Sequence, residues 1–406
     1  MSEQSIGIDD ILEARRRIQS AVYLSPCGHS HALSKLTGSN VYLKLENLQM
    51  TGSFKERGAL NKILTLTSEE CARGIITASA GNHAQGVAYH AASRGIAAVI
   101  CMPMTTPLVK VTATRSHGAE VVLFGNNYEE AYEEALRRRD SKGFTLIHPF
   151  DDNAVIAGQG TVGLELLEQV SDLDAVVVPI GGGGLIGGIA CAIKERNPRI
   201  KVFGVQTARV PSMVAALAAG APTTLPPAAS IADGIAVRRA GVQPFALVQR
   251  YVDRVVTVDE EEIANAILVL LEREKTLSEG AGAASAAALL NQKLSLDGAT
   301  VALLIAGGNI DVNFLSRIIE RGLVKDGRLV RLRLKLPDHP GVLHRLTGII
   351  TRFRANVIKV EHDRTYFGVG LGDTMVDITL ETRGSEHIGE LLSGLDGEGY
   401  PHERVV

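Results

Sequence analysis

Residues 175–193 carry no charged side chain, and four consecutive glycines at 181–184 interrupt this apolar stretch. Its length is close to that of a membrane-spanning helix. Pro179 and the glycines argue against one continuous helix, because both residue types disfavour a helix interior. The stretch instead predicts a buried strand, a glycine turn and the start of a helix. A fold that covers such a strand on both faces is required.

Short apolar runs alternate with segments of helical length over the first three quarters of the chain. Asn82, Pro107 and Asn127 stand where three of the helices are expected to begin. Several strand candidates are continuously apolar, which is typical of parallel strands buried between helices. We therefore predict an α/β fold with doubly wound sheets. The strand candidates are 41–45, 74–78, 96–101, 119–124, 144–149, 175–180, 202–206, 254–258 and 301–306.

The pattern changes near residue 322, and GLVKDGR (322–328) is predicted to be a turn-rich linker. VRLRLKL (330–336) alternates apolar and basic residues, which indicates an antiparallel strand with one face in water. Its basic side chains are interpreted as a solvated face rather than an anion site. The order βαββαβ then predicts a small ferredoxin-like module. Its remaining elements are a helix at 340–355 beginning at Pro340, strands at 357–367 and 373–381, a helix at 387–395 and a strand at 403–406.

Composition excludes several classes of function. Lys plus Arg number 42 and Asp plus Glu number 45, so the net charge of −3 argues against a nucleic-acid groove or a polybasic membrane surface. Aromatic residues make up 4%, too few for a base-stacking platform. The cysteines form no C-x-x-C pair and no zinc spacing, so we expect a reduced, cytoplasmic protein. They are Cys27, Cys71, Cys101 and Cys191.

Lys55 is the first residue that suggests chemistry. It follows Ser53 and Phe54 and opens a predicted helix. The positive end of a helix dipole favours a neutral amine, which is the form that reacts with aldehydes. An ordinary exposed lysine is the alternative for this motif taken alone.

Two further motifs follow apolar strands. In SAGNH (79–83), small residues allow a bound group to approach the backbone, and Asn82 and His83 add polar side chains at the carboxyl end of a strand, where α/β sheets bind ligands. A plain helix cap with Asn82 at the N-cap explains this motif equally well. In GGGGL (181–185), backbone N–H groups converge at a helix start and can hold a phosphate. The sequence G-x-x-x-x-G-K-[ST] of a nucleotide P-loop does not occur there.

A reactive lysine and a phosphate cradle together indicate pyridoxal 5′-phosphate, an aldehyde that carries a phosphate. Residues 1–325 resemble the pyridoxal-phosphate β-family (fold type II), most closely the threonine dehydratases, and the resemblance implies a small subdomain at about 46–150 inserted in a larger one. Residues 330–406 resemble an ACT domain through DHPGVL (338–343). The first resemblance rests on SFKERG (53–58), SAGNH (79–83), GGGGL (181–185), Glu279 in SEGAGAA and AGGN (306–309).

The resemblance implies a role for each motif residue. Lys55 would bind the cofactor covalently, Asn82 would bond its ring hydroxyl, and Phe54 and Glu279 would lie near its ring. The phosphate would bind to Gly181, Gly182, Gly183, Gly184 and the Leu185 N–H. The substrate carboxylate would bind to Ser79, Ala80, Gly81, Asn82 and His83.

Three departures from the family matter. Ala306 stands where relatives place a hydrogen-bonding side chain beside the pyridine nitrogen, which favours β-elimination over transamination. Ala80 stands where serine racemases carry a second base. Gln206 and Ser212 stand where racemase-like relatives hold a divalent cation with carboxylates, so we predict no metal.

We expect β-elimination of L-threonine to 2-oxobutanoate and ammonia, at the entry to isoleucine biosynthesis. L-serine or 3-hydroxyaspartate dehydration, and a non-catalytic amino-acid sensor, remain alternatives. The ACT-like module implies allosteric control by an amino acid and a homodimer or homotetramer. Its effector would bind near Asp338, Gly341, Val342 and Leu343.

Overall fold

The computed structural model describes residues 6–364, 370 and 372–405. The chain forms two compact units, Met1–Ile310 and Asp311–Val406. Residues 365–367 of the strand predicted at 357–367, and Val406 of the last predicted strand, lie outside the described residues. The functional boundaries at 1–325 and 330–406 stay predictions.

The N-terminal unit contains a six-stranded sheet in the order β1-β2-β10-β7-β8-β9. All its neighbouring strands are parallel except β1 and β2. The α/β class with parallel, helix-covered strands is thus confirmed. The strands are β1 (Cys27–His29), β2 (Asn40–Leu45), β7 (Ala175–Pro179), β8 (Lys201–Thr207), β9 (Arg254–Val258) and β10 (Thr300–Ile305).

A second, four-stranded parallel sheet lies between β2 and β7 in the chain and has the order β5-β4-β3-β6. β3 and β4 are buried along their whole length, as their continuous apolar sequences predict. This sheet corresponds in position to the predicted small subdomain. Its strands are β3 (Ile75–Ala78), β4 (Ala98–Met102), β5 (Glu120–Leu123) and β6 (Thr145–Leu146).

Thirteen helices are described in the N-terminal unit. Two of the helices that carry site residues follow strands through short loops, since α5 follows β3 and α9 follows β7, whereas a 3-10 helix stands between β2 and α3. The helices are α1 (Ile8–Ile18), α2 (His31–Thr37), α3 (Lys55–Ile63), α4 (Ser68–Arg73), α5 (Asn82–Ala92), α6 (Leu108–Ser116), α7 (Tyr128–Lys142), α8 (Asn153–Gln169), α9 (Gly184–Arg196), α10 (Ser212–Ala219), α11 (Val242–Tyr251), α12 (Glu260–Arg273) and α13 (Gly280–Leu290).

A buried ionic cluster fixes α3 against the six-stranded sheet. The Arg57 guanidinium, 1% exposed, donates to Glu46 at 2.7 Å and to Glu165 of α8 at 2.6 Å. Lys44 of β2 donates to Glu165 at 2.5 Å. Burial opposes ionisation of Glu46, but the charge and hydrogen bonds of Arg57, together with Lys44 and Ser25, outweigh it and hold the pKa of Glu46 below its ordinary value. Two positive and two negative charges therefore balance beneath the helix that begins with Lys55.

The C-terminal unit begins with α14 (Val312–Lys325) and continues as the βαββαβ module. Its antiparallel sheet has the order β12-β13-β11-β14, the ferredoxin-like arrangement, so that prediction is confirmed. Arg331 and Arg333 on the exposed face of β11 both pair with Asp377. The other elements are β11 (Leu329–Pro337), α15 (Val342–Arg352), β12 (Asn356–Asp363), β13 (Asp373–Glu381), α16 (Ser385–Gly397) and β14 (His402–Val405).

Three local predictions were wrong. The strand predicted at 144–149 ends at Leu146, because the His148 ring nitrogen accepts the backbone N–H of Phe150 at 3.3 Å and of Asp151 at 2.8 Å, which turns the chain. Residues 322–325 of the predicted linker are helical, because the α14 hydrogen bonds continue to Asp326.

The third concerns the start of α15. The helix begins after Gly341 rather than at Pro340, since Gly341 takes a positive φ of 90° at the N-cap. In the described part of the chain, every helix falls short of the length and apolar character that a membrane span needs.

Candidate active site

Lys55 is the first residue of α3, and its amine donates to the Pro149 backbone carbonyl at 2.9 Å. The Lys55 Nζ lies 5.2 Å from the centre of the Phe54 ring. Burial lowers the pKa of Lys55 to about 8, although the Glu279 charge opposes this shift. The amine is therefore held in one place and is far easier to deprotonate than an exposed lysine.

The end of β10 joins Lys55 to Glu279. The Phe54 N–H donates to the Ala306 carbonyl at 3.1 Å, and Ser53 pairs with Gly307 as an isolated antiparallel bridge. The Glu279 N–H donates to the Gly307 carbonyl at 3.0 Å. A Cβ at Gly307 would lie 2.5 Å from the Glu279 carboxylate, so only glycine fits there. Three motifs that are far apart in the sequence thus meet at one strand end.

Glu279 is 7% exposed, and its carboxylate accepts the Asn82 side-chain N–H at 2.6 Å. Burial raises the pKa of Glu279 to about 8, and the charge of Asp233 adds to this increase. Asn82, Lys110 and Lys55 oppose the increase. A carboxyl group in this setting can change its protonation near neutral pH.

Asn82 is the first residue of α5, and Gly81 rather than Asn82 is the N-cap. The interpretation of Asn82 as a plain N-cap was therefore wrong: its side chain turns away from the helix end. The Asn82 side-chain oxygen accepts an N–H from the side chain of Asn309 at 2.8 Å. The same side-chain nitrogen of Asn309 also donates a hydrogen bond to the Thr51 carbonyl, at 2.8 Å.

The SAGNH loop connects β3 to α5 at the carboxyl end of the strand. The Ser79 hydroxyl accepts the Gly81 N–H at 3.2 Å, while Ala80 contributes no polar side-chain atom. The His83 Nε2 lies 3.0 Å from the Ile147 carbonyl. Burial, together with the Lys55 charge, lowers the pKa of His83 to about 3, so its imidazole is neutral at physiological pH.

The glycine loop connects β7 to α9, as predicted. Gly183, with φ of 97°, is the N-cap of α9. The N–H groups that open a helix have no partner inside it, so those of Gly184, Leu185 and Ile186 are available to a ligand, and the helix hydrogen bonds begin with the Gly187 N–H. The Phe150 ring packs against this loop, and a Cβ at Gly182 would lie 2.3 Å from it. Glycine is therefore required for contact with Phe150 as well as for the turn.

The segment 148–151 was not identified from the sequence, although it connects two predicted motifs. Pro149 accepts the Lys55 amine, and the next residue, Phe150, supports the glycine loop. The Asp151 carboxylate accepts the N–H groups of Val242 and Gln243 at 2.8 and 2.9 Å. His148, which follows β6, was the only available signal, because a backbone carbonyl leaves no mark in a sequence.

Two ion pairs near this site were also missed. Lys110 of α6 lies 2.7 Å from Asp233, and Glu129 of α7 lies 2.6 Å from Arg238. Each joins a helix of the small-sheet region to the segment between α10 and α11.

The positions compared with a cation site hold a helix cap instead. The Gln206 side-chain oxygen accepts the N–H groups of Met213 and Val214 at the start of α10, at 2.9 and 3.1 Å. Its amide nitrogen lies 3.5 Å from the Ser212 hydroxyl. Among the described residues, no group of three or more His, Cys, Asp or Glu side chains is suited to a metal ion. The prediction of no metal stays a prediction.

The predicted effector residues lie in the C-terminal unit. Asp338 pairs with Arg364 at 3.0 Å. Val342, the first residue of α15, is buried, whereas Leu343 is 37% exposed. No described contact identifies a ligand at this loop.

Comparison with known proteins gives concordant results. The family model for pyridoxal-phosphate dependent enzymes matches residues 18–307. L-threonine ammonia-lyase of Thermotoga maritima is 50% identical over 97% of this chain and 98% of its own.

Two solved structures are also similar to this chain. Threonine deaminase isoform 2 of Solanum lycopersicum has a TM-score of 0.74 at 37% identity, covering 77% of this chain and 86% of its own. Maize serine racemase has a TM-score of 0.75 at 34% identity, covering 79% and 99%.

Proposed function

Because the chain belongs to the family of pyridoxal-phosphate dependent enzymes, we propose that it converts L-threonine to 2-oxobutanoate and ammonia. The observation that carries the proposal is that Lys55 and the glycine loop both contact the segment that contains Pro149 and Phe150, while Asn82 is joined to the Lys55 motif through Glu279 and the end of β10. The relative that is 50% identical over nearly the whole chain is an L-threonine ammonia-lyase, which supports threonine as the substrate.

The site suits pyridoxal phosphate on its own chemistry. The N–H groups at the start of α9 can bind a phosphate, and the Lys55 amine, because its pKa is lowered, can react with an aldehyde. The Ser53 hydroxyl and the His83 Nδ1 are buried, and no described residue bonds either atom. Such atoms are costly in a finished interior, so they are consistent with a pocket that a polar ligand completes.

When bound, pyridoxal phosphate supplies an aldehyde for amines and a conjugated ring that withdraws electrons from the substrate Cα. In our proposal Lys55 would hold the cofactor, and its free amine would accept the Cα proton of the substrate as general base. The N–H groups of residues 181–185 would hold the phosphate, and the loop 79–83 would hold the substrate carboxylate. Asn82 would bond the ring hydroxyl of the cofactor, and Phe54 and Glu279 would lie near the ring.

Two alanines direct the outcome toward elimination. Ala80 has no side-chain base for a second face of the substrate, so racemisation lacks one of its two bases. Ala306 cannot hydrogen-bond the pyridine nitrogen, so the ring is a weaker electron sink. Loss of the β-hydroxyl removes the negative charge quickly and tolerates that weakness better than transamination does.

Rates of 2-oxo acid release test the substrate. We expect purified protein with added pyridoxal phosphate to act on L-threonine with a higher kcat/KM than on L-serine or 3-hydroxyaspartate. A preference for either of the other two would replace threonine as the substrate and keep the chemistry. No oxo acid from any of the three would favour the amino-acid sensor.

The pKa of Lys55 predicts how the cofactor-free protein takes up pyridoxal phosphate. Only the neutral amine attacks the aldehyde, and Lys55 is protonated below about pH 8 and neutral above it. The reconstitution rate should rise about tenfold per pH unit below that value and level off above it. Stopped-flow absorbance over this range measures the rate. A rate that still climbs toward 10.5, the ordinary lysine value, would contradict the assignment.

Residues 330–406 of the C-terminal unit are proposed as an ACT regulatory domain, and residues 1–325 are proposed as the catalytic domain. The ferredoxin-like sheet of the C-terminal unit supports this proposal. An amino acid, with isoleucine the first candidate, binds near 338–343 and feeds back on an isoleucine-forming pathway. Isothermal titration with isoleucine tests this; no binding by it or by other amino acids would leave the domain as an assembly element.

The protein is further proposed to work as a homodimer or homotetramer, because ACT sheets commonly pair side by side. A cytoplasmic location is consistent with the four cysteines, all of which are free thiols. Analytical ultracentrifugation measures the number of chains in the assembly and so tests the proposed homodimer or homotetramer.

A further inference from the structure

Asn309 ends the AGGN motif, and neither the resemblance nor the proposed mechanism gives its side chain a role. It lies just beyond β10, where the Gly308 N–H donates to the Gly52 carbonyl at 2.9 Å. Gly52 has a positive φ of 73°, and a Cβ there would lie 2.6 Å from the Asn309 side-chain oxygen. The Asn309 side chain therefore packs directly against Gly52, in space that a larger residue at position 52 would need.

Hydrogen bonds determine which way the Asn309 amide points. The Thr51 backbone carbonyl can only accept, and it lies 2.8 Å from the Asn309 side-chain nitrogen. The same nitrogen lies 2.8 Å from the side-chain oxygen of Asn82. Because Thr51 fixes the nitrogen of Asn309 on this side, the atom that Asn82 presents to it must be the carbonyl oxygen.

The orientation of Asn82 follows from that of Asn309. With its oxygen bound to Asn309, Asn82 directs its NH₂ group to the other side, where it donates to the Glu279 carboxylate at 2.6 Å. A flipped Asn82 would place its NH₂ against the NH₂ of Asn309 and its oxygen against the Glu279 oxygen. The first contact is unfavourable whether or not Glu279 is protonated, and the second is unfavourable when Glu279 is ionised, so the chain of hydrogen bonds from Thr51 to Glu279 favours one amide orientation.

We propose that Asn309 is a positioning residue that fixes the Asn82 amide with its N–H donor toward the cofactor ring oxygen. The inference rests on the proposed function, in which Asn82 bonds that oxygen. A ring oxygen that carries negative charge binds an N–H donor and repels a carbonyl, so the orientation of one amide decides between attraction and repulsion.

Asn309→Asp tests the proposal, because it keeps the shape and replaces the donor with an acceptor. Asn82 should then turn its NH₂ toward the new carboxylate and its oxygen toward the cofactor. We expect the dissociation constant of pyridoxal phosphate to rise by roughly tenfold to hundredfold, the factor carried by one hydrogen bond to a charged group. Equilibrium dialysis against the cofactor measures the constant independently of turnover.

A double-mutant cycle separates positioning from a general structural effect. Because Asn309 acts through Asn82, Asn309→Asp should change the dissociation constant little in an Asn82→Ala background. Additive effects of the two changes, or a wild-type constant for Asn309→Asp alone, would overturn the proposal. If Asn309→Asp does not fold, Asn309→Ala carries the same cycle, since it also frees the Asn82 amide to turn.

Asn47→Asp is the matched control. Asn47 also donates to a backbone carbonyl beside the site, that of Leu277 at 2.8 Å, but its described bonds do not include Asn82. It should alter the melting temperature without changing the cofactor dissociation constant; an equal loss of affinity would count against the proposal. Wild-type protein that binds no pyridoxal phosphate would instead refute the proposed function, so the two failures are distinguishable.

Discussion

Replacing Lys55 with alanine is expected to abolish 2-oxo acid formation and covalent retention of pyridoxal phosphate. A general base alone contributes about 10²–10⁴-fold to a rate, and Lys55 is also the proposed attachment point of the cofactor, so the loss should exceed that range. The amine donates to Pro149 at 2.9 Å and has a lowered pKa, and no other lysine of α3 shares this setting. Steady-state rates and absorbance of the dialysed protein measure both losses.

Lys62→Ala is the control for this substitution. Lys62 belongs to the same helix, but its amine pairs with Asp152 at 2.7 Å and its side chain is 22% exposed. It should leave turnover and cofactor absorbance nearly unchanged. Turnover retained by Lys55→Ala would remove the basis of the proposed mechanism.

Replacing Arg57 with methionine should destabilise the protein by about 3–5 kcal/mol, the cost of breaking a buried ion pair from one side. The substitution leaves Glu46, which is fully buried, and Glu165 with only Lys44 as a positive partner. The loss of Arg57 also takes away the described hydrogen-bond donor of the Glu165 Oε1 atom. Denaturant unfolding followed by circular dichroism should show a lower midpoint.

A second change identifies the physical cause. Adding Glu46→Gln to Arg57→Met removes the uncompensated charge and should recover part of the stability. Arg16→Met, at an exposed ion pair with Glu13, should leave the unfolding midpoint nearly unchanged. Equal instability of the single and double variants would mean that packing, and not charge, holds this region.

The fold could be predicted largely because its strands are apolar on both faces. Runs such as 175–180 and 301–306 leave few alternatives to a parallel sheet, and both became strands. The three residues of β1 are too few to form a pattern. The strand predicted at 144–149 failed at His148, where one side chain that accepts two backbone N–H groups outweighed the β propensity of its neighbours.

The candidate site was predictable where its residues follow strands or stand in distinctive motifs. Asn82 and the glycine loop follow β3 and β7, and Lys55 stands in a distinctive motif although it does not follow a strand directly. Pro149 contributes only a carbonyl, and Arg57 meets a partner 108 positions away. Long-range pairs of this kind depend on how helices pack, which one sequence does not display. Lys44 inside an apolar strand was the one hint of a buried countercharge.

Mapping the cofactor attachment tests the central claim most directly. Purified protein would be incubated with pyridoxal phosphate, reduced with borohydride, digested and analysed by mass spectrometry. We expect one phosphopyridoxyl group per chain, on the peptide that contains Lys55. A label on another lysine, or none after saturation with the cofactor, would contradict it.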